Sequence, residues 1–144
     1  MPVTHEQIAA AFNPKVVAVI GARKADDYSW LRNMRGFRGK VYSIQIDPND
    51  IPGIEEMGVP NYKSLADVPD QVDYAIIAVP RRVVPFVLKD VIAAGVKTVH
   101  MFTSGFSETA EEEGLELEAT VKQMAEEAGL LIIGPNCMGV FNAD

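Results

Sequence analysis

Short apolar runs alternate with stretches of helical periodicity along most of this chain. The first run, residues 16–20, is continuously apolar and lies between Pro14 and Gly21, which is typical of a parallel strand buried on both faces. Four more strands are predicted on similar grounds at 40–46, 73–79, 97–102 and 130–133. Because alternating strands and helices are joined by right-handed crossovers, the pattern predicts an α/β fold. Its core is a doubly wound parallel sheet of about five strands, in the order 3-2-1-4-5, with helices on both faces.

Capping residues and apolar spacing predict the helices. Thr4 and Gln7 form a capping-box pattern, so residues 1–13 are predicted to be a helical extension of a single domain spanning 1–144. Asp26 or Asp27 is predicted to cap a second helix. This second helix is predicted at 28–35, followed by one helical turn at 64–68 and a helix at 84–92 with Pro85 in its first turn. The last predicted helix is acidic, is capped by Thr109 and ends at Gly129. Residues 51–60 are predicted to be a loop. The predicted buried face of the acidic helix consists of Leu117, Val121, Met124 and Ala128.

Charge and cysteine content narrow the functional classes. The 144 residues include 13 basic and 20 acidic side chains, for a net charge of −7, which argues against a general nucleic-acid or membrane-surface binder. The single cysteine, Cys137, excludes an intramolecular disulfide. The first residues lack a signal-peptide pattern, and no apolar run approaches the ~18 residues of a membrane span. A cytoplasmic protein is therefore expected.

In such a sheet a ligand lies outside the carboxyl ends of the strands, at the point where the strand order reverses. The predicted order places that point between the first and fourth strands. The loops expected to contact a ligand are 21–24, 47–49, 80–83, 103–106 and 134–138.

The first loop departs from the dinucleotide-binding pattern G-x-G-x-x-G. Gly21 is present, but Arg23 and Asp26 occupy the other two glycine positions. Arg23 and Lys24 are either phosphate contacts or ordinary solvated charges. Asp47, at the end of the second strand, is either a partner for a ribose hydroxyl or a turn-forming residue.

The later loops carry further candidates, each with a structural alternative. Arg81 and Arg82 suit phosphates but are equally typical of a surface. The Ser104 hydroxyl and the backbone amides around Gly105 are predicted to hold a carbonyl or phosphate, unless they only form a turn. Asn136 is predicted to bond neighbouring loops, Cys137 to be a packed side chain, and His100 to be a core residue. The acidic cluster 111–118 is predicted to be a solvated helix face and not a metal site.

Five segments taken together resemble a known family. They read VAVIGA, KVYSIQIDP, DYAIIAVPRRVVP, FTSGFSETAEEEG and GLLIIGPNCMGVFN. In this order they resemble the CoA-binding domain of NDP-forming acyl-CoA synthetases and the first domain of the succinyl-CoA synthetase α-subunit. The resemblance covers about residues 13–142 and implies a Rossmann-type domain that holds coenzyme A through its adenosine diphosphate moiety.

The resemblance also assigns expected contacts. The first loop would contact the phosphates and the turn after the second strand would face the adenosine, while the loop after the third strand packs against the nucleotide. The last two loops would line the pantetheine arm and its thiol. The matching residues are Gly21, Ala22 and Arg23, with Lys24 beside them; Asp47, Pro48 and Asn49; Val79, Pro80 and Arg81; Ser104, Gly105 and Phe106; and Asn136 and Cys137.

Two departures from the family pattern concern phosphate binding: either Arg23, Lys24 or Arg81 compensates for the missing lysine, or affinity for the CoA 3′-phosphate is weak. The family commonly has Asn-Pro-Lys after the second strand, with the lysine near the CoA 3′-phosphate, whereas this chain has Asp47, Pro48 and Asn49. The glycines usual in the first loop are replaced by Lys24, Ala25 and Asp26.

The family's phosphorylated histidine and ATP-grasp region do not fit in 144 residues, so this chain alone is not expected to be a complete enzyme. The resulting hypothesis is a module, subunit or fragment that binds CoA or acyl-CoA beside a ligase partner domain or subunit. A NAD(H)-binding module or redox sensor, favoured by Asp47, is the main alternative, and an interaction scaffold without a ligand is the third.

Overall fold

The computed structural model describes residues 2–137, so Met138 of the last predicted loop lies outside the described residues. Six parallel strands form one sheet in the order β3-β2-β1-β4-β5-β6. This confirms the doubly wound parallel fold, with six strands where five were predicted. The strands are β1 Val16–Ile20, β2 Lys40–Ile44, β3 Asn61–Tyr62, β4 Tyr74–Ile77, β5 Thr98–Met101 and β6 Leu131–Ile133.

The additional strand is β3, which lies at the sheet edge and pairs Asn61 with Ser43 of β2. Two residues give too little pattern for a prediction. The strand predicted third is consequently the fourth, and it lies beside β1, with Val17 opposite Tyr74. The strand order therefore reverses between β1 and β4, and not between β1 and the strand at Thr98–Met101.

Within the described residues, the sheet is accompanied by five helices and three short 3₁₀ turns. The capping box of Thr4 and Gln7 is confirmed, as are the proline in the first turn of the helix after β4 and the end of the last helix at Gly129. The helices are α1 His5–Phe12, α2 Ser29–Arg32, α3 Ile51–Glu56, α4 Val84–Ala93 and α5 Glu112–Ala128, and the 3₁₀ turns are Lys24–Asp26, Leu65–Asp67 and Ser107–Thr109. None of these helices is long and apolar enough to cross a bilayer.

The predicted loop at 51–60 is wrong, because its first part forms α3. Pro52 occupies the first turn, where a missing N–H removes no helical hydrogen bond. Gly53 lies against the Tyr28 ring, and a Cβ there would fall 2.2 Å from the Tyr28 hydroxyl. Ile54 is fully buried. Tertiary packing therefore outweighs the weak helix propensity of proline and glycine.

The predicted caps of α2 and α5 are also wrong. α2 starts after Tyr28, which has a left-handed backbone and offers no capping side chain, and it spans four residues in place of eight. α5 starts after Glu111, whose N–H donates to the Thr109 hydroxyl. In α5 the buried residue of the last turns is Ala125, whereas Ala128 is exposed.

Both faces of the sheet are covered, as predicted. Ala18 of β1 packs in a core that includes residues of α4 and α5. Val19, the next residue, packs on the opposite face with residues of α2 and α3. Because side chains alternate along a strand, one buried strand supplies both cores, which accounts for its continuous apolar run.

Candidate functional site

The loops that follow the carboxyl ends of the strands form the candidate site. We call these loops the rim and name each by the strand before it. They comprise residues 21–24 after β1, 45–50 after β2, 78–83 after β4, 102–109 after β5 and 134–137 after β6.

Gly21 lies where the strand order reverses. Its N–H donates to the Ile44 carbonyl at 3.2 Å. Its φ is +95°, and a Cβ would fall 2.8 Å from the Ala78 carbonyl oxygen. The approach of the loop after β4 therefore requires glycine at this position, before any ligand is considered.

Gln45 connects the first loop to the turn after β2, and sequence reasoning missed it. Its side-chain amide donates to the carbonyl of the buried Ala22 at 2.7 Å. Its Oε1 accepts from the N–H groups of Ile46 at 2.9 Å and Asp47 at 3.1 Å. An amide residue directly after a buried strand was the only available signal.

The exposed cations of the first loop are Arg23 and Lys24. Arg23 Nε lies 3.4 Å from Asp26 Oδ2, and the arginine side chain is 55% exposed. The Lys24 N–H donates to Asp50 Oδ1 at 2.8 Å. A 3₁₀ turn and a four-residue helix follow, so no long helix directs its N-terminus at this loop. Anion binding here depends on the two side chains rather than on a helix dipole.

The turn after β2 is built by Asp47. Its Oδ1 accepts from the Asn49 N–H at 2.9 Å, and its carbonyl accepts from the N–H of Asp50 and of Ile51, which begins α3. Asp47, Pro48 and Asn49 are all exposed. The turn-forming role of Asp47 is observed, while a ribose contact remains a prediction.

Arg81 and Arg82, in the loop after β4, are both paired with acids of α5 and the residue before it. Arg81 Nη1 and Nη2 lie 3.0 Å from Glu111 and Glu113 oxygens, and Nη1 also donates to the Gly105 carbonyl at 2.8 Å. Arg82 contacts Glu113 at 2.5 and 3.1 Å. These contacts, the Arg82 hydrogen bond first, hold the pKa of Glu113 below its usual range. The predicted solvated face at 111–118 thus holds for Glu111 and Glu113, which stay 59% and 40% exposed while they pair with the arginines. It is wrong for Glu118, which is 17% exposed and accepts from the Ser107 N–H.

Val79 and Pro80 are the other two residues of the loop after β4 that are predicted to lie at the site. The Val79 carbonyl accepts from the Thr103 hydroxyl at 2.6 Å, and a Val79 methyl carbon would lie 2.9 Å from a Cβ at Gly21. Pro80 is exposed. Val79 thus links the first loop with the loop after β5.

Carboxylates bind the backbone amides of the loop after β5. Glu108 Oε1 accepts from the Gly105 N–H at 2.6 Å, and Oε2 accepts from the Phe106 N–H at 3.1 Å. Glu118 accepts from the Ser107 N–H at 2.8 Å. The amides predicted to hold a ligand carbonyl or phosphate are thus occupied by the protein itself.

Ser104 and Phe106 differ in what they present at the rim. Ser104 is exposed, whereas Phe106 is fully buried in the core that contains α4 and α5 residues. The Phe106 side chain therefore cannot line a ligand site, and only its backbone belongs to the rim.

The loop after β6 is bonded to β5 and its loop. The Asn136 N–H donates to the Thr103 carbonyl at 3.0 Å, and the Cys137 N–H donates to the Met101 carbonyl at 3.1 Å. The link predicted for Asn136 is thus made by its backbone. Cys137 is half-buried.

His100 lies beneath this loop and is a core residue, as predicted. It is 2% exposed, with Nε2 2.9 Å from the Cys137 carbonyl oxygen and its ring edge-on to Trp30. Burial lowers the pKa of His100, against the hydrogen bond to Cys137, which raises it. His100 therefore supports the loop as a neutral group.

Comparison with known protein families identifies the family of this chain. The family model described as "CoA binding domain" matches residues 15–143. The chain belongs to this CoA-binding domain family, as the resemblance predicted.

Individual relatives are ligases. The chain is 42% identical over 132 residues to an ADP-forming acetate–CoA ligase of Methanocaldococcus jannaschii, covering 90% of this chain and 18% of the relative. It is 40% identical over 138 residues to the alpha subunit of ADP-forming acetate–CoA ligase I of Pyrococcus furiosus, covering 92% of this chain and 29% of that subunit.

Solved structures agree with these relatives. A crystal structure of PH0766 from Pyrococcus horikoshii matches with a TM-score of 0.81 and 40% identity, covering 92% of this chain and 30% of that one. The apo dinucleotide-forming acetyl-coenzyme A synthetase 1 of Ca. Korarchaeum cryptofilum matches with a TM-score of 0.78 and 39% identity, covering 89% and 27%. The chain thus spans less than a third of the length of these four proteins.

Proposed function

We propose that this chain binds coenzyme A, or an acyl-CoA, at the rim. The observation that carries the proposal is the family match over residues 15–143, together with a reversal of strand order at Gly21, where open parallel sheets bind ligands. The adenosine diphosphate part would lie over the first loop and the turn after β2. The pantetheine arm would extend along the loops after β5 and β6.

Arg23 and Lys24 are the proposed phosphate contacts. Both are exposed on the first loop, and the Arg23–Asp26 contact at 3.4 Å is a weak surface pair that a phosphate can displace. Arg81 is less suited, because two glutamates and a carbonyl already accept its hydrogens.

The turn after β2 favours weak recognition of the 3′-phosphate. Asn49 stands where the family commonly has lysine, and Asp47 and Asp50 add negative charge to this loop. Like charges repel a phosphate, so CoA and dephospho-CoA should bind with similar dissociation constants.

The chain would act as one module of an acyl-CoA ligase. Its relatives include an alpha subunit and longer single chains, and it spans 18 to 29% of their lengths. Activation of the acid would then take place on a partner domain or subunit, and this module would present the CoA thiol.

A titration of the purified chain by calorimetry and thermal shift tests the proposal. CoA, dephospho-CoA and NAD⁺ are compared, and at about 100 times Kd a bound ligand should add roughly 2.7 kcal/mol of stability. Binding of CoA but not NAD⁺ supports the proposal. Binding of NAD⁺ alone would indicate the dinucleotide-binding alternative, and binding of none would indicate a scaffold.

The Arg23→Ala variant tests the phosphate contact. Loss of one exposed charged contact should raise the Kd for CoA about fivefold. The matched control is Arg38→Ala, which removes the same charge from an exposed residue just before β2, at the opposite end of the sheet. Equal affinities for the two variants would remove Arg23 from the site.

A further inference from the structure

The two peptide groups that flank Gly105, in the loop after β5, are held by charged side chains. The Gly105 carbonyl accepts from Arg81 Nη1 at 2.8 Å, and the Gly105 N–H donates to Glu108 Oε1 at 2.6 Å. Hydrogen bonds to ionised groups are roughly twice as strong as neutral ones. Gly105 has a φ of +95°, and a Cβ there would fall 2.7 Å from Arg81 Cδ. The arginine stem therefore packs directly on Gly105.

The two charged groups are themselves fixed. Arg81 is only 23% exposed and is anchored by Glu111 and Glu113. Glu108 spans two consecutive amides with its two oxygens, and Glu118 binds the next amide, that of Ser107. A ligand anion at this loop would have to displace a bound carboxylate, so the arrangement does not suit a phosphate subsite.

The Ser104 hydroxyl is not among the groups that these carboxylates bind. This hydroxyl is exposed immediately before Gly105, and a hydroxyl can both donate to and accept from the neutral amides of a pantetheine arm. The position of Ser104 follows from the conformation of Gly105, which Arg81 and Glu108 determine.

The geometry points to Arg81 and Glu108 as positioning residues that fix the peptide groups on either side of Gly105, so that the exposed Ser104 hydroxyl receives the neutral pantetheine arm of CoA. This inference rests on the proposed function. Arg81 thereby acts through the loop and makes no contact with a CoA phosphate.

Calorimetry with two ligands separates these roles, because ADP carries the nucleotide end of CoA without the arm. Arg81→Gln and Glu108→Gln should each raise the Kd for CoA about tenfold, the effect of one lost charged hydrogen bond, and the Kd for ADP less than about twofold. Arg82→Gln is the control for Arg81→Gln, because the Arg82 side chain also contacts Glu113 but does not contact Gly105. Glu112→Gln, an exposed neighbour, is the control for Glu108; both controls should leave both affinities within about twofold.

The outcomes of these titrations support or overturn the positioning role of Arg81 and Glu108. Equal losses for CoA and ADP in folded Arg81→Gln would show a phosphate contact and overturn the inference, and so would unchanged CoA affinity in Glu108→Gln. If either glutamine variant fails to fold, Arg81→Lys or Glu108→Asp, which keep the charge but shift it, replaces it with the same expected contrast. Absence of CoA binding by the wild-type chain would refute the proposed function itself, whereas wild-type binding with unchanged variants refutes only the positioning role.

Discussion

Replacing Gly21 with alanine tests the packing at the point where the strand order reverses. The new methyl group would lie 2.8 Å from the Ala78 carbonyl oxygen and 2.9 Å from a Val79 methyl carbon. The nearest atom belongs to the backbone at the end of β4, which is paired with β1 and β5 and cannot easily move. The φ of +95° adds strain for any residue with a Cβ.

The expected loss has two parts. The left-handed backbone costs about 1–2 kcal/mol for a residue other than glycine. Forcing an extra carbon into a packed site costs a further 1–3 kcal/mol or so. The sum, about 2–5 kcal/mol, is a large share of the 5–15 kcal/mol that stabilises an ordinary domain.

Gly58→Ala is the matched control, because Gly58 has a φ of +77° but no atom within 4 Å of the Cβ position. Only the first part of the cost, about 1–2 kcal/mol, applies there. Urea denaturation with unchanged m-values measures both losses. If the two variants lose equal stability, the contact with Ala78 contributes nothing and the packing explanation of Gly21 is wrong.

Three further predictions concern the sheet and its loops. Gln45→Ala should weaken CoA and ADP binding equally in calorimetry, since it releases the first loop and the turn after β2. Leu88→Ala, at a fully buried position of α4, should cost about 2–5 kcal/mol in urea denaturation. Hydrogen bonds from Tyr42 and Lys40 lower the pKa of Asp70, so the folded state binds its proton less tightly than the unfolded state. The stability that Asp70 contributes is complete above its unfolded pKa near 3.8 and falls as the pH drops through the lower folded pKa. The urea midpoint of Tyr42→Phe should therefore depend less on pH below about 4 than that of the wild type. An unchanged pH dependence would contradict this explanation.

The strands were predictable where burial on both faces makes them continuously apolar. β1 was predicted with its observed bounds, and β4 was found with its ends two residues or fewer too long. α3 was not predictable, because Pro52 and Gly53 weaken the local helical pattern. The fit of Gly53 against Tyr28, 25 residues earlier in the chain, is what permits that helix.

The loops that form the candidate site were predictable from the alternation of strands and helices, but the strand beside β1 and the partners of the charged side chains were not. Arg81 matched a phosphate contact in type and position. Its partners, Glu111 and Glu113, are 30 and 32 residues further along the chain, and no local pattern specifies that they turn towards it. Glu108 lies only two and three residues from the amides that it binds, but that contact follows from the shape of one tight turn.

Because Gln45 is uncharged, the rim loops that it joins should respond less to salt than the loops that ion pairs hold. It joins Ala22 to Ile46 and Asp47 through an uncharged amide group, whereas Arg81 and Arg82 of the loop after β4 form ion pairs with Glu111 and Glu113. Dissolved salt screens exposed charges over about 8–10 Å but leaves neutral amide hydrogen bonds largely intact. Raising the ionic strength should therefore accelerate amide hydrogen exchange in the loops after β4 and β5, and leave the amides of Ile46 and Asp47 protected.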